Sequence, residues 1–367
     1  MIKVNFVVHS LDRVNFGGVN KVVTDLANSL VDKEIDVTIY SIGLIENICC
    51  EISSKVKVVS LNRKKHSTNQ YVGLNKLFWF VEIYFLFFKI IKKKKHEIWL
   101  TTSPPLNLLF SFFKYTFSDV KIIGCDHTST IFSKGLLIDK IKYLLLKKLN
   151  YVVALTKEDK LFYEEHGLNT ILIPNFINFS LAEELENKRN ALIFVGRFSP
   201  EKQPLEALKI YHFSKLWVEG IHMRMYGSGS LESEIFDYIA VNNLNQYVRV
   251  VVGEQRPEII YKDSIALIMT SKIEGFGMVL LEAISRNIPC LAYDCPYGPR
   301  NIIIDGLNGN LIEFGNLNDF LEKLKINNLN QLISNCMNNQ TITQYDEKYV
   351  VSTWVELLTL ITSESKV

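Results

Sequence analysis

Apolar residues recur along the whole chain in short blocks separated by helix-length stretches. In the first half the blocks are Val4 to Val8, Val37 to Ser41, Lys55 to Ser60, Glu97 to Thr101, Val120 to Gly124 and Tyr151 to Leu155. Blocks of this length, nearly continuous rather than alternating, suit strands covered on both faces. Between the first two, Gly18 to Leu30 repeats its apolar positions at helical spacing. Strand, helix, strand in repetition predicts a parallel α/β sheet.

The pattern pauses at Ile173-Pro174-Asn175-Phe176-Ile177-Asn178 and the polar run Glu183 to Asn190. It restarts with Ala191 to Gly196, followed by His222 to Tyr226, Val248 to Val252, Ile265 to Thr270 and Pro289 to Tyr293. Two doubly wound, Rossmann-like domains are expected, over 1–175 and 176–345. Residues 346–367 are expected to form a helix crossing back to the first domain. A length of 367 residues agrees, because it exceeds what one hydrophobic core usually supports.

Charge changes the picture. The net charge is only +2, yet residues 1–170 hold 24 Lys+Arg against 16 Asp+Glu, and the remainder 17 against 23. A basic first half suggests a domain that faces an anionic surface; near-neutrality overall suggests no nucleic-acid partner. The six cysteines form no C-x-x-C pair and no His cluster has zinc-ligand spacing, so a reduced, cytoplasmic protein without metal or cofactor is expected. The run Ile2 to Val8 reads as a strand and not as a secretory signal.

The most informative stretch is Lys272 to Leu291, in which Glu274-Gly275-Phe276-Gly277-Met278-Val279 opens an apolar helix that carries Glu282. A helix start beside glycines exposes unpaired N–H groups that suit a phosphate. Two carboxylates beside an anion site would repel phosphate but accept hydrogen bonds from hydroxyls, so a ligand with both groups fits, such as a nucleotide sugar. The alternative for Glu274 is a dipole-compensating cap before the helix. Arg197 and Lys202 follow another strand end and could converge on a diphosphate, one as a fork and one as a point charge.

Val195-Gly196-Arg197-Phe198-Ser199-Pro200-Glu201-Lys202, Tyr226-Gly227-Ser228-Gly229 and Glu274-Gly275-Phe276-Gly277 through Glu282-Ala283, with Gly17-Gly18 near the start, resemble the successive signatures of the retaining glycosyltransferases of family 4. The resemblance covers essentially the whole chain and implies a GT-B fold: two facing Rossmann-like domains, the first binding the acceptor and the second the donor. It implies that Arg197 and Lys202 neutralise the nucleoside diphosphate, that Glu282 accepts from the ribose hydroxyls, and that Glu274 contacts the transferred sugar. Gly17, Gly18, Gly227 and Gly253 would let backbone approach the donor, with Glu254 beside the base. No Asp-x-Asp pair is present to hold a metal on the nucleotide. His127, in Gly124-Cys125-Asp126-His127, would be structural on its own merits; the resemblance makes it a sugar contact, with Asp126 either orienting it or merely ending a strand. His9 reads as structural. Arg300 could face phosphate or form a salt bridge, and Asn301 stands near the place where relatives carry an acidic residue.

The run Leu77 to Ile91, rich in Phe, Trp and Leu and followed by Lys92 to Lys95, is too short and too charged to span a bilayer. It is either an interfacial helix on an anionic leaflet or a core helix with a solvated lysine end. The resemblance implies transfer of a hexose or N-acetylhexosamine, from a donor taken as UDP-linked, to a glycan or lipid-linked acceptor in bacterial surface polysaccharide synthesis. The site would lie in the cytoplasm, with peripheral attachment to the membrane. Two rivals share the fold: a nucleotide-sugar epimerase, and a non-catalytic nucleotide-sugar-binding subunit that anchors a partner.

Overall fold

The computed structural model describes residues 1–12, 18–45, 48, 51–63, 74–127, 136–178, 189–254, 256–338 and 341–363. Gly17, Cys49 and Cys50 lie outside the described residues. The chain divides into two compact units, Met1–Asn175 with Glu347–Val367, and Phe176–Asp346.

The first unit runs β1 (Lys3–Val8), α1 (Gly18–Val31), β2 (Asp36–Ser41), β3 (Lys57–Ser60), α2 (Leu74–Lys93), β4 (Ile98–Thr101), α3 (Pro104–Ser111), α4 (Phe113–Thr116), β5 (Lys121–Cys125), α5 (Leu136–Leu146), β6 (Tyr151–Ala154), α6 (Lys157–Glu165) and β7 (Thr170–Leu172). Its strands lie in the order β3-β2-β1-β4-β5-β6-β7, all paired in parallel, as the alternation predicts. Strand β7 was not anticipated. Its three residues end just before Pro174 and offer too short an apolar run to read as a strand.

The second unit runs β8 (Ala191–Val195), α7 (Pro204–Ser214), β9 (His222–Tyr226), α8 (Glu232–Val241), β10 (Val248–Val251), α9 (Pro257–Ile260), β11 (Ser264–Met269), α10 (Met278–Ile284), β12 (Cys290–Tyr293), α11 (Gly298–Ile302), β13 (Gly309–Ile312), α12 (Leu317–Lys323) and α13 (Ile326–Asn338). Its parallel order is β10-β9-β8-β11-β12-β13. Strand β13 also escaped the sequence reading, because Gly309-Asn310 opens it with turn residues. Gly309 is required there by close approach: a Cβ would lie 2.0 Å from the Cys290 carbonyl oxygen. Helix α14 (Glu347–Ser363) belongs to the first unit, where it packs on α1 and the Ser29 hydroxyl donates to Glu347 Oε1 at 2.7 Å.

Helix α2 packs against the core along one side and leaves apolar side chains exposed on the other. Trp79, Ile83, Phe87 and Ile91, four residues apart, are buried beneath the sheet with Tyr40, Trp99 and Phe110. Each such side chain contributes about 1.5–3 kcal/mol by leaving water. Leu77, Phe78, Val81 and Phe85 point the other way and are exposed. Among the described residues, no helix is long and apolar enough to cross a membrane.

Candidate functional site

In the second sheet β8 has β9 on one side and β11 on the other, so the winding direction reverses between β8 and β11. Open α/β sheets bind ligands at the carboxyl ends of the strands beside such a reversal. The loops leaving β8 and β11 are tied together there. The Lys272 N–H donates to the Glu201 carbonyl at 2.9 Å, and the Thr270 hydroxyl donates to the Gln203 carbonyl at 2.8 Å.

On this frame the Lys202 ammonium donates to Glu274 Oε1 at 2.6 Å, and the Ser271 hydroxyl donates to the same oxygen at 2.7 Å. Glu274 is 7% exposed. A carboxylate so enclosed is costly without partners, and the ammonium and hydroxyl offset that cost. The sequence offers no signal for Ser271 beyond its place next to a strand end. Nearby burial, with the Glu274 charge adding to it, pushes the Cys295 thiol up to about 12, so it is an inert thiol. Arg197 takes a different course: its guanidinium is largely exposed and lies 3.3 Å from Glu201 Oε1. Each of the two cations is therefore engaged with its own carboxylate.

The loop after β9 explains its glycines by packing. Gly227 and Gly229 have φ of 157° and 155°; a Cβ on the first would stand 1.9 Å from the Gly196 carbonyl oxygen and on the second 2.4 Å from that of Phe198. The Phe198 N–H donates to the Ser228 carbonyl at 2.8 Å, and the Leu231 N–H returns to the Phe198 carbonyl at 2.9 Å. The loop thus lies flat on the one that carries Arg197. Gly253, after β10, has φ of 81° and open space around it. Beside it Glu254 is gripped by Arg256 through two bonds of 2.9 Å, which raises the guanidinium pKa further through hydrogen bonding and charge.

Gly275 occupies the bend before α10, and Gly277, at φ 97°, is its N-cap. The first-turn amides of Met278 and Val279 have no partner within the helix. Phe276 is buried and meets Tyr345 edge-on at 5.6 Å, so its side chain serves the core. Because α10 starts at Met278, Glu282 sits about one turn into the helix. Its Oε2 accepts from the Tyr261 hydroxyl at 2.7 Å. Tyr261 is fully buried, the Arg286 guanidinium lies 5.2 Å above its ring, and burial with the adjacent Glu282 charge holds the phenol protonated. Nothing in the spacing of Ile259-Ile260-Tyr261 marks this residue from sequence.

Arg300 forms a bidentate salt bridge with Asp294, both bonds at 3.0 Å, and the Asn301 amide donates to the Tyr297 carbonyl at 2.9 Å. A groove of about 510 Å³ lined by Asn190, His222, Tyr247 and Arg249 opens at the amino ends of β8, β9 and β10. It lies at the opposite edge of the sheet from the paired loops.

In the first unit, Gly18 begins α1 with open space about its Cα, while Gly17 lies outside the described residues. His127 follows β5. Burial pushes its imidazole down to about 4 against an opposing pull from the Asp126 carboxylate, and Nδ1 is buried without a hydrogen bond among the described residues. Asp126 Oδ2 accepts from the Tyr163 hydroxyl at 2.8 Å. His9 bonds to Ser103 at 2.9 Å and stacks on Trp79. Among the described residues, no group of three or more His, Cys, Asp or Glu could hold a metal ion.

Residues 177–341 match the family of glycosyl transferases group 1. The chain is 25% identical over 366 residues to the amylovoran biosynthesis glycosyltransferase AmsD of Erwinia amylovora, covering 94% of this chain and 96% of that one. It is 23% identical over 367 residues to a Campylobacter jejuni α-1,4-N-acetyl-D-galactosaminyltransferase named for an undecaprenol-linked GalNAc acceptor, covering 98% of each. Among solved structures it resembles Staphylococcus aureus TarM, in complex with fondaparinux, α-GlcNAc-glycerol and UDP, with a TM-score of 0.79, 18% identity and coverage of 98% of this chain and 100% of that one. The fold is GT-B, and the matches support a group 1 glycosyltransferase role.

Proposed function

We propose that this chain, with its match to glycosyl transferases group 1, is a retaining hexosyltransferase of family 4. It would move a hexose or N-acetylhexosamine from a UDP-linked donor to a glycan or lipid-linked acceptor in bacterial surface polysaccharide synthesis. The first unit would take the acceptor and the second the donor. The observation that carries the reading is the Lys202–Glu274 pair at the strand reversal, with Glu282 on the helix that follows. The names of the relatives, surface-polysaccharide glycosyltransferases, favour the same class of reaction.

In this reading the donor diphosphate lies against the Met278 and Val279 amides and draws the Lys202 and Arg197 charges to it, so that fixed cations carry the leaving-group charge. Glu282 has Oε2 committed to Tyr261 and offers Oε1 to the ribose diol. Glu274, released by Lys202, accepts from a sugar hydroxyl. The bond from the anomeric carbon to the diphosphate breaks, the acceptor oxygen bonds on the same face, and its proton passes to the departing phosphate. His127 enters as a neutral imidazole, in keeping with its depressed pKa, able to hydrogen-bond but carrying no charge.

Calorimetry with UDP tests the donor half: Lys202→Ala and Glu282→Ala should each weaken binding about tenfold or more while the fold persists. Unchanged affinity in both would overturn it. Hydrolysis across UDP-, GDP- and ADP-sugars identifies the base, and turnover should survive a chelator.

A further inference from the structure

The groove of about 510 Å³ at the amino ends of β8, β9 and β10 lies away from the paired loops, and the transfer chemistry makes no use of it. Its volume is that of a small-molecule site. Three primary amides, those of Asn190, Asn245 and Gln246, line it together with His222, Tyr247 and Arg249. Asn245 and Gln246 are exposed and Asn190 is half-buried. None of the three amide side chains is hydrogen-bonded to another of the described residues, so all three are open to a ligand.

The walls that carry these amides are fixed. Tyr247 stacks on Trp217 at 5.5 Å and stands 6.1 Å from the His222 ring, while its carbonyl accepts from the Met223 N–H at 2.8 Å and the Tyr211 hydroxyl at 3.3 Å. On the other side the Asp263 carbonyl accepts from the Asn190 and Ala191 N–H groups at 2.9 and 3.0 Å. Arg224, also in the lining, turns to that same bend: its guanidinium donates to the Lys262 carbonyl at 3.1 Å and lies 3.8 Å from Asp263 Oδ2. Arg249, its register partner on β10, pairs with no carboxylate among the described residues.

We propose that this groove of the second unit binds a neutral glycan strand. Each amide presents both a donor and an acceptor, which is also what a sugar hydroxyl presents, and the aromatic wall gives the apolar face of a pyranose ring a surface to pack on. A phosphate or sulfate only accepts, so it would leave the amide oxygens unused. With Arg224 already engaged by Asp263, an anion would find one guanidinium to pair with. The occupant follows from the lining alone. That the strand is the polymer under construction rests on the transferase reading, in which a second grip on it raises its local concentration. The binding test uses neither donor nor turnover, so the two fail separately.

The full chain is titrated by calorimetry with two neutral hexasaccharides, maltohexaose and N-acetylchitohexaose, and with a sulfated heparin hexasaccharide. Saturable binding of a neutral hexasaccharide, with a Kd of about 1 mM or tighter that does not change with salt, is the result expected. Asn245→Ala/Gln246→Ala should weaken it about tenfold or more at an unchanged melting temperature, because both side chains are exposed. Arg249→Gln, which keeps a donor and removes the charge, should change it by less than about threefold. Binding of neither neutral hexasaccharide would overturn the proposal. So would an amide variant that binds as before, which would place the sugar elsewhere, or binding confined to the sulfated hexasaccharide and lost with Arg249→Gln, which would make the groove an anion site.

Discussion

The Lys202 ammonium and Glu274 Oε1 lie 2.6 Å apart, so in the free chain the proposed diphosphate cation and the proposed sugar-binding carboxylate neutralise one another. Removing Lys202 alone leaves an enclosed carboxylate with only the Ser271 hydroxyl among the partners described above. Lys202→Met should therefore cost about 2–4 kcal/mol in urea unfolding, and adding Glu274→Gln should recover more than half of it. Additive losses in the double variant would mean that the two groups are not coupled.

Tyr261 supplies a hydrogen bond to the proposed ribose carboxylate from beneath. Tyr261→Phe keeps the ring under Arg286 and removes one donor, a change of about 0.5–1.5 kcal/mol. UDP affinity should fall about threefold to tenfold, while cooperative unfolding is retained. Equal affinity would detach Tyr261, and with it Glu282, from the nucleotide.

The half-buried, neutral His127 makes stability depend on pH in a defined window. Its folded pKa, about 4, lies below the unfolded value of about 6.5. Between these values the unfolded chain binds the extra proton, so stability is full above about pH 6.5 and is lost as pH falls toward 4. The loss attributable to this group is at most about 3.4 kcal/mol. His127→Gln should flatten that part of a melting-temperature profile, and an imidazole proton resonance titrating near its ordinary midpoint would contradict the assignment.

Glycines in the loops divide by neighbourhood. Gly227→Ala would set a Cβ 1.9 Å from a carbonyl oxygen, whereas Gly253→Ala meets nothing and suffers only its positive φ. The first should cost more than about 3 kcal/mol and the second about 1 kcal/mol. Thermal denaturation of the two variants, side by side, measures the difference.

The two parallel sheets were legible because strands covered on both faces are continuous apolar runs, and β1 or β11 can be read almost to the residue. Strands β7 and β13 were not legible: one is three residues long and the other begins Gly309-Asn310, so tertiary pairing and not local preference makes them strands. At the candidate site the motif residues could be selected from sequence, but their pairing could not. Nothing in the spacing says that Lys202 would turn to Glu274 and Arg197 to Glu201, or that Tyr261 would reach Glu282 from twenty-one positions away. For α2 the sequence leaves two environments open because its apolar residues surround the helix, and only packing shows which of them are buried and which are exposed.

The loops after β8, β9 and β11 grip one another chiefly through main-chain bonds and missing side chains, while the turn holding Gly253 stands free of that clasp. If the donor base lies at the free turn, as the resemblance implies, a change of donor preference is open to side-chain exchange there without disturbing the rest. Remodelling the interlocked trio would instead mean rebuilding all three at once.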